Sequence, residues 1–181
     1  IFTNDDLLAE RLKKIANHGQ SKRYYHDEVG CNSRLDTMQA AVLDIKLRHL
    51  DEYITARRTV ADFYNKAFAH HPIIAVPFCA GYSQHVYHQY TMVLKPEKNP
   101  AEYRNGLVDF LAEHNIPSMI YYPVPAHRQK MFAHFDSHNI QLEITDWLTE
   151  RVVSLPIHTE MNLAQLDFIT NKVLAYVNKI H

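Results

Sequence analysis

The apolar positions near the start of the chain follow the spacing of an amphipathic helix over residues 4–17. One face of this helix carries Leu7, Leu8, Leu12, Ile15 and Ala16. Thr3 followed by Asp6 resembles a capping box with a short acid, which predicts the start of the helix. Residues 18–34 lack periodicity and are rich in Tyr, His, Arg and Asp, so they are predicted to form a loop.

Helical spacing then continues over residues 35–69, which is longer than most globular helices. The phase of the apolar positions slips between Ile45 and Leu50. We therefore expect two helices or one kinked helix, with the break at residues 49–51 and with Asp51 capping the second segment.

After Pro72 the sequence pattern changes to a mixture of segments typical of strands and of helices. Strands are predicted over residues 73–76, 86–94, 118–122 and 152–155, which are rich in β-branched and aromatic residues. Helices are predicted from Asn99-Pro100 to residue 114, over residues 128–135 and 142–150, and from the capping box formed by Asn162 and Gln165. This order favours an α+β domain behind a helical connection.

Composition changes this interpretation little. The chain has 181 residues, of which 46% are hydrophobic, and this suits one domain or one domain with part of another. It begins at Ile1 and enters a helix almost at once, so we expect it to be a piece of a longer protein.

Charge and residue counts exclude several function classes. Lys and Arg total 19 against 20 Asp and Glu, so no global field favours nucleic acid or an anionic membrane. No apolar run approaches the roughly 20 residues that span a bilayer. Cys31 and Cys79 lack metal-ligand spacing and are typical of reduced thiols in a cytoplasmic protein.

The 13 histidines do not form a metal-binding pattern. His85 and His88 are three apart on a predicted strand and face opposite sides. His134 and His138 lack the intervening Glu of a zinc helix. No metal site is expected.

The end of the predicted loop, Gly30-Cys31-Asn32-Ser33-Arg34, carries candidate binding chemistry. Gly30 suits a turn with positive φ. An extended backbone would direct Asn32 and Arg34 to the same side, where an amide and a guanidinium can meet an anion. Alternatively, Asn32 caps the following helix and Arg34 lies on the surface; the spacing leaves both open.

Several motifs, taken in order, resemble the DegT/DnrJ/StrS aminotransferases. They are Asn17-His18-Gly19, Gly30-Cys31-Asn32-Ser33-Arg34-Leu35 continuing to Met38-Gln39-Ala40-Ala41, His85-Val86-Tyr87-His88-Gln89-Tyr90, Tyr121-Tyr122-Pro123-Val124-Pro125-Ala126-His127 and Ser154-Leu155-Pro156-Ile157-His158. The resemblance implies a fold class of α/β to α+β, as the C-terminal part of a type I pyridoxal-phosphate (PLP)-dependent transferase. Residues 1–34 would end the large cofactor domain and form an active-site loop, residues 35–69 the connecting helix, and residues 70–181 the small α+β domain.

For the whole enzyme, the resemblance implies transfer of an amino group from an amino acid, usually glutamate, to a nucleotide-linked keto-sugar. Such sugars serve cell-surface polysaccharides or secondary metabolites. The enzyme would be a cytoplasmic homodimer with shared active sites. The Schiff-base lysine would precede this chain, because Lys13, Lys14 and Lys22 lack its sequence context. We therefore expect no catalytic residue here and no activity from the chain alone.

The resemblance also assigns roles to four residues. Asn32 would reach the PLP phosphate of the partner subunit, and Arg34 would lie in the substrate pocket; the alternative for Arg34 is an ion pair with the long helix. His127 would lie near the substrate, held by the prolines before it, unless it is a surface or capping histidine. Tyr122 would form a pocket wall, unless it packs in the core.

Two other functions stay open from the sequence. Some relatives in the family dehydrate sugars and have histidine in place of the lysine, and only the upstream segment distinguishes them. A non-catalytic protein could instead use residues 35–69 for dimerisation or regulation.

Overall fold

The computed structural model describes residues 1–135 and 140–179. The chain divides into two compact units, Ile1–Leu50 and Asp51–His181. The expected division of the whole protein into residues 1–34, 35–69 and 70–181 stays a prediction.

The first unit begins with the expected helix, α1 (Asp6–Ala16), but its cap differs from the prediction. Asp5 is the N-cap residue, and its carboxylate accepts a hydrogen bond of 3.0 Å from the Leu8 amide. The Thr3 hydroxyl accepts from the Asp5 amide instead. The Thr3–Asp6 capping pair is therefore wrong, because Asp5 stands three residues before the free amide.

The segment predicted as a loop contains a small antiparallel hairpin. Its strands are β1 (Gln20–Lys22) and β2 (Tyr25–His26), and Tyr24 turns between them with φ +70°. The prediction of a loop was wrong here. Both faces of the hairpin are largely exposed, so the sequence shows none of the alternation that marks a half-buried strand.

The long helical pattern is two helices, α2 (Thr37–Leu47) and α3 (Leu50–Phe68), which confirms the break. Asp51 does not cap α3 but lies within its first turn, where the helix dipole favours an acid. The cap predicted for Asp51 is therefore wrong.

The second unit is built around a three-stranded antiparallel sheet in the order β3 (Ile74–Ala75), β4 (Tyr90–Leu94), β5 (Val152–Leu155). Tyr90, Met92 and Leu94 alternate along β4 and are fully buried. They pack in one core with residues of α3, α4 (Pro100–Glu113) and α6 (Leu163–Val177). This unit is the predicted mixed α+β arrangement.

The strand predictions succeed in part. The strand at 152–155 is confirmed, and those at 73–76 and 86–94 shorten to β3 and β4. Residues 118–122 do not form a strand. Within them Met119 alone bridges Ser154, through hydrogen bonds of 3.1 and 2.8 Å, because Pro117 and Pro123 flank the segment.

Of the two caps predicted for helices of the second unit, one is confirmed and one is wrong. The capping box of Asn162 and Gln165 is confirmed, with reciprocal bonds of 3.0 and 2.9 Å. α4 begins at Pro100 as predicted, but Asn99 adopts φ +46° and its side chain does not cap the helix.

Two 3₁₀ turns, Ala126–Arg128 and Lys130–Phe135, and the short helix α5 (Glu143–Thr149) complete the second unit. The last two agree with the helices predicted at 128–135 and 142–150. Within the described residues, no helix is long and apolar enough to cross a bilayer.

Candidate functional site

The loop that carries Asn32 is fixed by two glycines that meet backbone to backbone. A Cβ on Gly30 would lie 2.1 Å from the Gly19 nitrogen and 2.5 Å from the Ile15 oxygen. Gly19 has φ +73°, and a Cβ there would lie 1.7 Å from the Glu28 oxygen. Gly30 is therefore required for close approach, and the positive φ expected of it belongs to Gly19.

Three backbone hydrogen bonds hold the following residues to the end of α1. The Cys31 amide donates to the Ile15 oxygen at 2.8 Å, and the Ser33 amide donates to the Ala16 oxygen at 3.0 Å. The His18 amide donates to the Cys31 oxygen at 3.0 Å. The chain at residues 31–33 is thus extended and anchored.

Asn32 bridges Asn17 in antiparallel fashion, and directly opposed residues present their side chains on one face. Arg34, two positions on along an extended chain, shares that face and donates to the Asn17 Oδ1 at 2.7 Å. Cys31 and Ser33 line a different cleft, as the alternation requires. The structure therefore brings the amide and the guanidinium to one side.

Of the alternatives for these two residues, the structure contradicts the cap for Asn32, while Arg34 is exposed, as its surface alternative expects. Asp36 is the N-cap of α2, and its carboxylate accepts from the Gln39 amide at 3.0 Å. Asn32 is therefore not a helix cap, and its side chain is exposed. The hydrogen bond described for Arg34 goes to Asn17 rather than to a residue of the long helix.

Arg34 lines a cleft of about 390 Å³, which we call the basic cleft. Its lining consists of Asn17, Gln20, Ser21, Lys22, Arg23 and Arg34. Three cations, two amides and a hydroxyl form a donor set that suits a phosphate or a carboxylate.

Lys13 and Lys22, two of the three lysines in or next to the first helix, have surface surroundings. Lys13 pairs with Glu10 at 2.8 Å, and this hydrogen bond raises the pKa of Lys13. A lysine that forms a Schiff base requires a lowered pKa. Lys22 lies over the ring of Tyr25 at 5.7 Å.

Tyr122 lines a cleft of about 290 Å³ in the second unit, which we call the Tyr122 cleft. The lining residues are Tyr121, Tyr122, Val124, Pro125, Ala126, Thr145, Leu148, Thr149 and Val152. Tyr122 is 70% exposed, so the core-packing alternative is wrong.

His127 is buried, with only 7% of its side chain exposed, so it is not a surface histidine. Its Nε2 lies 3.6 Å from the Asp146 Oδ1, while the guanidinium of Arg128 contacts the Asp146 Oδ2 at 2.6 Å. Sequence reasoning missed Asp146. It lies on α5, 19 residues after His127, and no periodic spacing in the sequence connects it to the turn that carries His127.

The four candidates thus form two pairs. Asn32 and Arg34 lie together in the first unit, and Tyr122 and His127 are five residues apart in the second. Among the residues that the structure describes, no group of three or more His, Cys, Asp or Glu is placed to hold a metal ion.

Comparison with known proteins assigns the chain to a protein family. The sequence model of the DegT/DnrJ/EryC1/StrS aminotransferase family matches residues 1–174. The chain belongs to this family. The family is dependent on pyridoxal phosphate.

Two relatives show the range of names in the family. The chain is 36% identical to a pleiotropic regulatory protein of Geobacillus stearothermophilus, over 97% of this chain and 46% of the relative. It is also 36% identical to the dTDP-3-amino-3,6-dideoxy-alpha-D-galactopyranose transaminase of Aneurinibacillus thermoaerophilus, with the same shares of both chains. The chain therefore spans less than half the length of the curated relatives that it matches.

Among solved structures, the chain is similar to a DegT/DnrJ/EryC1/StrS aminotransferase from Brucella abortus. The TM-score is 0.80 at 32% identity, over 97% of this chain and 45% of that one. This likeness confirms the expected fold class, part of a type I PLP-dependent transferase with mixed α/β to α+β structure.

Proposed function

We propose that this chain is the C-terminal part of an enzyme that transfers an amino group from an amino acid, with glutamate the expected donor, to a nucleotide-linked keto-sugar. Family membership supports the reaction class. A relative named as a dTDP-amino-sugar transaminase, at 36% identity, supports the substrate class. The product would serve polysaccharide or secondary-metabolite synthesis.

The observation that carries this proposal is the shared face of Asn32 and Arg34. The Gly19–Gly30 contact and three backbone hydrogen bonds place an amide and a guanidinium side by side, next to the cations of the basic cleft. Such a donor set fits the phosphate of PLP and a second anion. Bound PLP would supply the electron sink for amino transfer.

Each candidate residue then has one task. Asn32 would donate its amide N–H to the cofactor phosphate, in the active site of the partner subunit of a cytoplasmic homodimer. Arg34 would bind a substrate phosphate or carboxylate through its fork of donors. Tyr122 would form the wall of a substrate cleft, and His127 would stand behind it.

The covalent lysine would lie in the rest of the protein. Lys13 is engaged with Glu10, which opposes the lowered pKa that such a lysine needs. The chain of residues 1–181 alone would therefore be inactive.

A regulatory role is the second candidate, and the name of the Geobacillus relative favours it. The two candidates differ in whether the protein turns over. In the full-length protein, transfer of labelled nitrogen from glutamate to dTDP- or UDP-linked keto-sugars should appear by mass spectrometry. A protein that retains PLP and transfers no nitrogen to either class would favour regulation.

The cofactor role is tested by Asn32→Ala in the full-length protein, with Asn171→Ala as the matched control because Asn171 is exposed on α6. A hydrogen bond to a charged group contributes about 1.5–3 kcal/mol, so PLP affinity should fall roughly tenfold to a hundredfold. Retention of PLP through dialysis measures this loss. Equal retention in both variants would remove Asn32 from the site.

A further inference from the structure

One carboxylate in the second unit, that of Asp146, lies beside the imidazole and the guanidinium of two consecutive residues of another segment. The Asp146 Oδ1 lies 3.6 Å from the Nε2 of His127, and its Oδ2 lies 2.6 Å from the Arg128 guanidinium. The Asp146 side chain is 29% exposed and that of His127 is 7% exposed. Burial of this kind screens the contact less than at an open surface.

His127 and Arg128 belong to a turn that is closed by its own hydrogen bonds. The Arg128 amide donates to the Pro125 oxygen at 3.0 Å, and the Gln129 side chain donates to the Val124 oxygen at 3.1 Å. A contact that holds His127 and Arg128 therefore also holds Val124 and Pro125.

Those residues form one wall of the Tyr122 cleft, and α5 forms the other. Val124, Pro125 and Ala126 line the cleft from the turn. Thr145, Leu148 and Thr149 line it from α5, where Thr145 directly precedes Asp146. The Asp146 contacts thus join the two walls.

The lining of the Tyr122 cleft is aromatic, aliphatic and hydroxylic. The Tyr122 ring and Leu148 offer apolar surface, and the threonines offer hydroxyl groups. This chemistry suits an uncharged ring of the substrate.

We propose that Asp146 is a positioning residue. Its contacts with His127 and Arg128, together called the clasp, fix the width of the Tyr122 cleft, which receives an uncharged ring of the sugar substrate. This rests on the proposed function. His127 then acts as the buried neighbour of Asp146, with its Nε2 accepting a hydrogen bond of 3.4 Å from the Arg128 Nε, and Tyr122 is the residue that touches the ring.

The test uses the full-length enzyme with PLP and compares Asp146→Asn with Asp167→Asn, an exposed aspartate on α6. Loss of the clasp weakens binding of the sugar in ground state and transition state alike, so the KM for the sugar should rise about tenfold. The kcat and the KM for glutamate should stay within about twofold. A fall in kcat, or a change in kcat and in the KM for both substrates together, overturns the proposal.

A second measurement does not depend on catalysis. Hydrogen–deuterium exchange in residues 121–129 of the substrate-free protein should be faster in Asp146→Asn and unchanged in Asp167→Asn. Equal exchange in the two variants overturns the clasp even if the enzyme is active. Faster exchange in a protein that aminates no sugar supports the clasp and refutes the proposed function.

Arg128→Gln provides an independent variant if Asp146→Asn does not fold. Arg128 is 54% exposed, so its replacement creates no cavity, yet it removes the 2.6 Å contact to the same carboxylate. The same rise in the sugar KM and in exchange is expected. Wild-type values for both would overturn the proposal.

Discussion

Replacing Gly30 with alanine tests whether the loop of Asn32 is held by backbone contact. The new Cβ would stand 2.1 Å from the Gly19 nitrogen and 2.5 Å from the Ile15 oxygen. Both are main-chain atoms, so no side chain can rotate away. The two segments must separate by about 1 Å or more to reach ordinary contact distances.

The separation acts on the three hydrogen bonds between residues 31–33 and the end of α1, which span 2.8 to 3.0 Å. Stretched by about 1 Å they are no longer hydrogen bonds. At about 1 kcal/mol each they contribute roughly 3 kcal/mol to the local stability. Alanine also restricts the backbone of the unfolded chain, which offsets about 0.4–1 kcal/mol of this, so the net loss of local stability is about 2 kcal/mol.

Amide exchange measures this loss directly. The amides of His18, Cys31 and Ser33 donate the three bonds, so Gly30→Ala should speed their exchange roughly thirtyfold. Gly81→Ala is the control, since no atom lies within 4 Å of a Cβ there. The fluorescence transition of Trp147, the single tryptophan and part of the second unit, should not change. Wild-type exchange in Gly30→Ala would refute the reasoning.

Two further predictions concern the core of the second unit. A Cβ at Gly106 would lie 2.3 Å from the Tyr176 hydroxyl, so Gly106→Ala should displace its 3.1 Å bond to the Tyr103 oxygen and cost about 1–2 kcal/mol in urea unfolding; an unchanged midpoint would contradict this. Burial raises the pKa of Tyr64 and Tyr90 far above the ordinary value of about 10, so their stabilisation is complete below that pH and is lost as pH rises above it. Burial also raises the pKa of Tyr103 and Tyr176, so tyrosinate absorbance should show at least two of the eleven tyrosines ionising only on unfolding; ionisation of all eleven near pH 10 in the folded protein would contradict this.

The sequence predicted elements where burial is periodic along one segment. Helix α3 and strand β4 bury residues at helical and alternating spacing, and both were found. The hairpin β1–β2 buries no such stripe, so no periodic signal marks it. At residues 118–122 the composition predicted a strand, but only Met119 forms a bridge. Apolar periodicity arises where an element packs against a core, so strands that pair while exposed produce no such periodicity.

The candidate site was predictable to a different degree in its two halves. Spacing alone allowed Asn32 to be a cap or a ligand, because Asn and Asp are both good caps and only the fold selects Asp36. The 3.6 Å approach of His127 to Asp146 joins residues 19 apart with no shared period, so only the fold reveals it.

The first unit holds the loop of Asn32, a candidate binding residue, although none of its described side chains is buried. Among its described residues only Gly19 is buried, so backbone hydrogen bonds and glycine contact fix Asn32. Chemistry and geometry can therefore be separated at this loop. Asn32→Ala removes the amide and leaves the anchoring bonds, whereas Gly30→Ala keeps the amide and breaks them.

In the full-length protein both variants should lose PLP, but only Gly30→Ala should also lose amide protection at Cys31 and Ser33. Asn32→Ala should retain wild-type protection, because its side chain is exposed and makes none of the three bonds. If Gly30→Ala loses protection and keeps PLP, cofactor binding does not depend on the placement of this loop. The assignment of Asn32 to the phosphate would then fail for a geometric reason.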